Sequence, residues 1–149
     1  MSFRMTTKEQ FQTWLSALPD QIEQLTKRVL ADTGQKLDYT PASLLVLEQW
    51  LLNQYPNLEY VYEIGEYFIM YAAGGYIGES IRRHVGGEWT IELKDKTYAY
   101  LGIEGIVGFN SDRWLPPQYP RTWATASLDR RTGNYILTLF EVLINKISG

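Results

Sequence analysis

The chain has 149 residues, of which 45% are hydrophobic and 14% aromatic, enough apolar side chain for a single globular domain over residues 1–149. The formal net charge of −3 argues against general nucleic-acid binding, which needs an excess of Lys and Arg to neutralise phosphates. Because the chain has no cysteine, it cannot form a disulfide, a thiolate nucleophile or a cysteine-ligated zinc site.

The sequence contains no apolar stretch of the kind that directs secretion or crosses a bilayer. We therefore expect a cytoplasmic protein that binds neither nucleic acid nor membranes. Five Trp and eleven Tyr supply many rings with one apolar and one polar end. Such rings are typical of well-packed cores and of protein interfaces.

The first predicted helix begins at a capping box formed by Thr6 and Glu9, which have the required spacing. Apolar residues then recur at helical intervals up to Gly34, a residue that commonly ends helices. Pro19 predicts either a kink or the start of a second helix. A further helix is predicted from Thr40-Pro41 to Gln54, with the threonine as N-cap.

A long central helix is predicted over residues 60–85. Its apolar or small residues follow alternating steps of four and three, and the neighbouring rows are also apolar or small. A helix that is apolar on nearly all sides is expected in the interior. Gly86-Gly87 is predicted to end it. The main row comprises Tyr60, Ile64, Tyr67, Tyr71, Gly74, Gly78, Ile81 and Val85.

The remaining sequence predicts a small antiparallel sheet and a closing helix. Residues 88–93 alternate as a half-buried strand does, with a partner at 97–101 and a third strand in 102–110. Residues 121–128 are predicted to be a short strand or an extended segment, and 133–147 a helix. The predicted fold is therefore α+β, with N-terminal helices, a buried central helix, three or four strands and a C-terminal helix.

The candidate site lies on the second half of the central helix. Gly74 and Gly78 cost helix stability, which indicates that another group comes close to the backbone there. That group is either a neighbouring element at a tight crossing or a ligand in a pocket. Glu79 precedes Arg82 and Arg83 at the spacing of a helical ion pair, and the two arginines could also bind an anion or a partner.

His84 is the single histidine, one turn after Ser80. Without an orienting carboxylate this is a weak signal for nucleophilic catalysis, and a histidine near the C-terminal end of a helix is the simpler interpretation. Three glutamates, Glu59, Glu63 and Glu66, share a helix face but lack the histidines of a di-metal site. We therefore predict no catalytic residue, no metal and no cofactor.

Two segments resemble a family of small uncharacterised bacterial proteins. They are Leu-Asp-Tyr-Thr-Pro-Ala-Ser-Leu at residues 37–44 and Gly-Tyr-Ile-Gly-Glu-Ser-Ile-Arg-Arg-His-Val-Gly-Gly-Glu-Trp at residues 75–89. The resemblance covers about the middle third of the chain and implies a bacterial cytosolic protein. It also implies an association with accessory or immunity-like roles, but no substrate and no catalytic residue.

Three functional hypotheses follow. The first is a non-enzymatic module that binds another protein through an aromatic-rich surface. The second is a small-molecule-binding protein or a hydrolase-like enzyme, with a cleft beside Gly74 and Gly78 lined by Tyr71, Glu79 and Arg83. The third is a structural subunit that forms oligomers. The sequence does not set the oligomeric state.

Overall fold

The computed structural model describes residues 3–148, which form six helices and one two-stranded antiparallel sheet. The broad α+β prediction is confirmed, with helix predominating. No helix within residues 3–148 combines the length and apolar character needed to cross a membrane. In chain order the elements are α1 (Lys8–Thr33), α2 (Pro41–Gln54), α3 (Leu58–Glu63), α4 (Phe68–Val85), β1 (Gly86–Thr90), β2 (Gly105–Phe109), α5 (Pro120–Arg130) and α6 (Tyr135–Ser148).

Helix α1 is continuous, and its N-cap is Thr7, one residue later than the predicted cap Thr6. Thr7 accepts a hydrogen bond from the Gln10 N–H at 3.1 Å, and the Gln10 side chain accepts from the Thr7 N–H at 3.3 Å. The predicted pair of Thr6 and Glu9 is therefore wrong, because Gln10 completes a capping box equally well from the next register. Pro19 lies inside α1, so no second helix starts there.

The predicted end of α1 and start of α2 are confirmed. Gly34 has a φ of 74° and donates its N–H to the Leu30 carbonyl, as expected of a left-handed helix cap. The Thr40 side chain accepts from the Ser43 N–H, which satisfies a donor in the first turn of α2.

The long central helix was predicted incorrectly, because it is divided into α3 and α4 at Gly65. Gly65 has a φ of 71° and donates to the Tyr62 carbonyl at 3.1 Å, while Glu66 donates to the Val61 carbonyl at 3.0 Å. These two bonds form a Schellman motif, which ends α3. The predicted interior position holds for α4, which contacts α1, α5, α6 and both strands. It does not hold for residues 60–67 as a whole, because Tyr60 and Ile64 are exposed.

The sheet is smaller than the predicted three or four strands. Strands β1 and β2 pair with Gly86 opposite Phe109 and Thr90 opposite Gly105. The strands predicted at 88–93 and in 102–110 are present in part as β1 and β2. The partner strand predicted at 97–101 is wrong, since residues 94–101 form turns and bends.

Short-range hydrogen bonds account for those turns. The Asp95 carboxylate accepts from both the N–H and the hydroxyl of Thr97, and the Asp95 carbonyl accepts from the Tyr98 N–H. Asp side chains that bond to the backbone two residues ahead favour turns over strands.

Residues 121–128 are helical, not extended, because they form most of α5. Pro120 occupies the first turn of this helix, where its missing N–H has no intrahelical partner to lose.

The N-terminus of α6 is capped by the carboxylate of Glu48, a residue of α2. The two Glu48 oxygens accept hydrogen bonds from the Tyr135 N–H at 3.1 Å and the Ile136 N–H at 2.7 Å. Glu48 itself is fully buried. Its oxygens satisfy N–H groups that have no partner within the helix, at the positive end of the helix dipole.

Candidate functional site

The two glycines predicted to mark close approach lie against neighbouring elements. A Cβ atom built on Gly74 would stand 2.6 Å from the Arg121 Cα, in the first turn of α5. A Cβ atom on Gly78 would stand 2.2 Å from the ring of Trp89 in β1. Both distances are too short for nonbonded carbon atoms, so the predicted close approach is confirmed. The groups that approach are Arg121 and Trp89.

The predicted ion pair of Glu79 connects the end of α4 to the following strand. One Glu79 oxygen accepts from Arg82 Nη1 at 2.7 Å and from Trp89 Nε1 at 2.8 Å. Arg82 Nε also donates to the Gly87 carbonyl at 3.0 Å. These bonds hold Trp89 over Gly78, and they engage one oxygen of the Glu79 carboxylate with groups of the fold.

Arg83 and His84 both contact Tyr39, in the segment before α2. The Arg83 guanidinium lies 3.7 Å from the centre of the Tyr39 ring, and His84 Nε2 is 3.0 Å from the Tyr39 carbonyl oxygen. Ser80 is buried and donates its hydroxyl to the Tyr76 carbonyl at 2.9 Å. Ser80 and His84 are therefore hydrogen-bonded to different residues.

Tyr71 belongs to a buried charged cluster that the sequence analysis missed. Arg121 donates to the two Glu104 oxygens at 2.8 and 3.1 Å, and to the Tyr67 hydroxyl at 2.9 Å. Its guanidinium lies 4.3 Å from the centre of the Tyr71 ring. Only 5% of the Arg121 side chain and 1% of the Glu104 side chain are exposed.

Burial and charge act in opposite directions on this pair. Burial raises the pKa of Glu104, while the charge and hydrogen bonds of Arg121 oppose the increase. Burial lowers the pKa of Arg121, but the charge and hydrogen bonds of Glu104 raise it by more, so the guanidinium stays protonated. Arg121, held by Glu104, fixes the hydroxyl of Tyr67 through a hydrogen bond in the interior of the molecule.

Two aromatic rings stack on the buried ring of Tyr67 and extend the cluster to the surface. The Tyr67 ring lies 3.9 Å from that of Phe3 and 5.0 Å from that of Tyr62, measured between centroids. The Tyr71 hydroxyl donates to the Phe3 carbonyl, so the main chain of Phe3 is also held in place. The rings are therefore held in place by contacts below them.

Phe68, the first residue of α4, is the most exposed ring of this region. Within residues 3–148, eight large apolar side chains are exposed, and four of them lie between residues 60 and 68. Phe68 is 56% exposed and Tyr62 is 40% exposed. We refer to Phe3, Tyr62, Tyr67 and Phe68 as the Phe68 surface.

Two grooves border the ring of Phe68. The first has a volume of about 670 Å³ and is lined by Phe3, Tyr62, Tyr67 and Glu59. The second, the α1–α4 groove, has a volume of about 500 Å³. Its lining includes Met5, Glu9, Trp14, Ala17, Gln21, Phe68 and Tyr71.

The seven predicted site residues fall into three separate sets of contacts. Tyr71 and Gly74 contact Arg121; Gly78, Glu79 and Arg82 surround Trp89 and its strand; Arg83 and His84 contact Tyr39. No three His, Cys, Asp or Glu residues within residues 3–148 come close enough to hold a metal ion. The sequence analysis missed the Phe68 surface, and Gly65 was the signal that could have revealed it, because glycine commonly ends helices.

Comparison of the chain with protein-family models, with curated proteins and with solved structures finds no match. The resemblance to small bacterial proteins therefore stays a prediction.

Proposed function

We propose that this protein is a non-enzymatic binding module that holds another protein against the Phe68 surface. The observation that supports this most is the concentration of exposed aromatic rings beside two grooves. Buried aromatic anchors that fill pockets dominate the energy of protein interfaces. Phe68 is placed to act as such an anchor, because it lines both grooves.

The order of these rings favours binding. Association costs free energy when side chains lose freedom at the interface, and aromatic rings have few torsions to lose. Phe3 and Tyr62 are already stacked on Tyr67, and Tyr67 is hydrogen-bonded to Arg121. A partner would therefore meet a surface that is ordered before binding.

The contacts at the two glycines do not favour the small-molecule hypothesis. Arg121 and Trp89 occupy the space beside Gly74 and Gly78, where the cleft was predicted. Glu79, predicted to line the cleft, is bonded to Arg82 and Trp89.

Site-specific photocrosslinking tests the proposal directly. p-Benzoylphenylalanine replaces Phe68 in the full chain, in cells that produce the protein naturally, and the crosslinked products are separated by mass. We expect one discrete adduct with a different protein. A crosslink to a second copy of this chain would show self-association instead, and no adduct would contradict the proposal.

The control places the same photoreactive residue at Trp114, which is 82% exposed in the loop after β2. Exposure alone would give the same adduct from both positions. Binding through the Phe68 surface gives it from position 68 only. The variant Phe68→Ser should compete poorly for the partner while keeping its melting temperature within a few degrees, because substitutions of exposed side chains have small effects on stability.

A further inference from the structure

One carboxylate lies beside the exposed rings of the groove that Phe3, Tyr62 and Tyr67 line. Glu59 belongs to the lining of this groove, which has a volume of about 670 Å³, and it is exposed. It lies three residues before Tyr62 on α3, the spacing at which two side chains are neighbours on a helix surface. No Lys, Arg or His within residues 3–148 forms an ion pair with Glu59. The described chain therefore leaves one negative charge unbalanced among aromatic rings.

The rings beside Glu59 are also open to a cation. Phe68 and Tyr62 are exposed, and no arginine or lysine of the described residues lies over either ring. Arg4 is engaged elsewhere, since it donates to two backbone carbonyls at 2.9 and 3.0 Å. The face of an aromatic ring attracts a positive charge. The carboxylate and the rings therefore favour the same kind of group.

Elsewhere in the molecule an arginine completes this combination. Four ion pairs form within residues 3–148, and in three of them an aromatic side chain contacts one of the two charged groups. In the fourth pair the cation is Lys27, which lies over no described ring. The three other pairs, each with its aromatic side chain, are Arg121–Glu104 with Tyr67, Arg28–Glu66 with Tyr55, and Arg82–Glu79 with Trp89. Arginine is thus the cation that this fold pairs with a carboxylate beside a ring.

We infer that the partner protein inserts an arginine into this groove, with its guanidinium on Glu59 and its flat face along Phe68 and Tyr62. Arginine fits better than lysine because its planar guanidinium binds both oxygens of a carboxylate and stacks on aromatic faces. Its apolar stem also covers ring surface while the charged end reaches the carboxylate. The inference rests on the proposed function and specifies the chemistry of the partner.

The charge of the chain is complementary to such a partner. The formal net charge is −3. Glu9 lines the α1–α4 groove, which shares Phe68 with the first groove, and it forms no ion pair within residues 3–148. Complementary charges guide association and select against acidic partners. The surface around the partner's arginine is therefore expected to be basic.

Charge reversal in the crosslinking experiment tests the inference in the full chain. Glu59→Lys is combined with p-benzoylphenylalanine at position 68, and the adduct yield is compared with that of the singly substituted chain. We expect the yield to fall by about fivefold or more, because a repulsive charge replaces an attractive one. Glu63→Lys is the matched control, since Glu63 is exposed on the same helix but does not belong to the groove lining. Its adduct yield should stay within about twofold, because an exposed charge outside the contact has a small effect.

The two lysine variants change the net charge by the same amount, so long-range electrostatics affects both alike. Equal adduct yields from the two would overturn the inference. Their melting temperatures should both lie within a few degrees of the parent, because substitutions of exposed side chains have small effects on stability.

The partner segment recovered from the adduct identifies the cation. Mass spectrometry of the digested adduct should locate the crosslink within a few residues of an arginine. A crosslinked segment without arginine would overturn the inference.

A synthetic peptide of that segment, titrated against the protein with ¹³C-labelled aromatic rings, measures the contribution of the charge. The ring signals of Phe68, assigned from their loss in Phe68→Ser, report binding. Citrulline in place of the peptide's arginine keeps the shape but removes the charge. This replacement should weaken binding by about five- to tenfold, the combined value of an exposed ion pair and a cation–π contact. A lysine peptide should also bind more weakly, and binding equal to that of the arginine peptide would overturn the choice of arginine.

Glu59→Gln tests whether the carboxylate and the arginine act on each other. In this variant the change from arginine to citrulline should weaken binding by only about two- to threefold, because only the rings still distinguish the two peptides. An undiminished difference between the peptides would overturn the inference.

The two proposals fail separately. If position 68 crosslinks to a partner and Glu59→Lys leaves the adduct unchanged, the arginine site is wrong but protein binding stands. If position 68 yields no adduct, the proposed function itself is wrong, and the inference that rests on it fails with it.

Discussion

Replacing Gly74 by Ala tests the packing of α4 against α5 with a single methyl group. The new Cβ would lie 2.6 Å from the Arg121 Cα and 2.8 Å from its N and Cβ. Ordinary carbon contacts begin at about 3.4 Å, so the main chain of Arg121 must retreat by about 0.8 Å. That movement also disturbs the buried pair with Glu104.

The expected result is a net loss of about 2 kcal/mol in the free energy of unfolding. Overpacking of this kind costs about 1–3 kcal/mol, and displacement of a buried ion pair adds to it. The better helix propensity of Ala offsets about 1 kcal/mol of the total. For a chain of this size the melting temperature should fall by about 4–8 °C.

Gly75→Ala is the matched control, because it also replaces glycine by alanine in α4 and so gains the same helix propensity. Its Cβ would lie 2.3 Å from Leu18 Cδ1, the end of a flexible side chain that can change rotamer. This variant should stay within about 0.5 kcal/mol of the parent. Urea unfolding followed by circular dichroism measures both differences. Equal stability of Gly74→Ala and Gly75→Ala would refute the proposed role of Arg121.

Further substitutions test other contacts, each by the same unfolding assay. Gly78→Leu should destabilise severely, since its side chain would occupy the space of a Trp ring, and an unchanged melting temperature would contradict the close approach. Glu104→Gln should cost about 3–5 kcal/mol by leaving a buried charge uncompensated, while the double variant Glu104→Leu with Arg121→Met should recover most of that loss; no recovery would contradict the pairing. Gly65→Ala has free space around its Cβ, so it should cost only about 1–2 kcal/mol of backbone strain, and Gly65→Asn should cost less. Glu48→Ala should lower the free energy of unfolding by about 2 kcal/mol or more, because it leaves two N–H groups of α6 without an acceptor. Glu48→Gln should have a smaller effect because it keeps an acceptor.

Helix ends with local signals could be predicted from the sequence. Thr40 and Gly34 act through atoms within four residues along the chain, so the pattern contains the information. The division between α3 and α4 also had a local signal in Gly65. The apolar row concealed it, because the spacing of the row continues across the break.

Contacts between distant residues could not be predicted in this way. Glu48 caps a helix 87 residues later, and Arg121 pairs with Glu104 and Tyr67 from separate elements. Such pairs depend on tertiary packing, which no spacing rule describes. The partner strand predicted at 97–101 shows the opposite error, since the bonds of Thr97 and Tyr98 to Asp95 place those residues in a turn.

Arg121 contacts both the α4–α5 crossing in the interior and the aromatic rings that reach the surface. Its main chain sits against Gly74 in the α4–α5 crossing, while its guanidinium fixes the Tyr67 hydroxyl under the exposed rings. A group that restrains those rings would therefore also restrain, through Tyr67 and Arg121, the first turn of α5. If a protein binds there as proposed, the amides in the first turn of α5 should exchange more slowly in the complex, far from the surface that the partner covers.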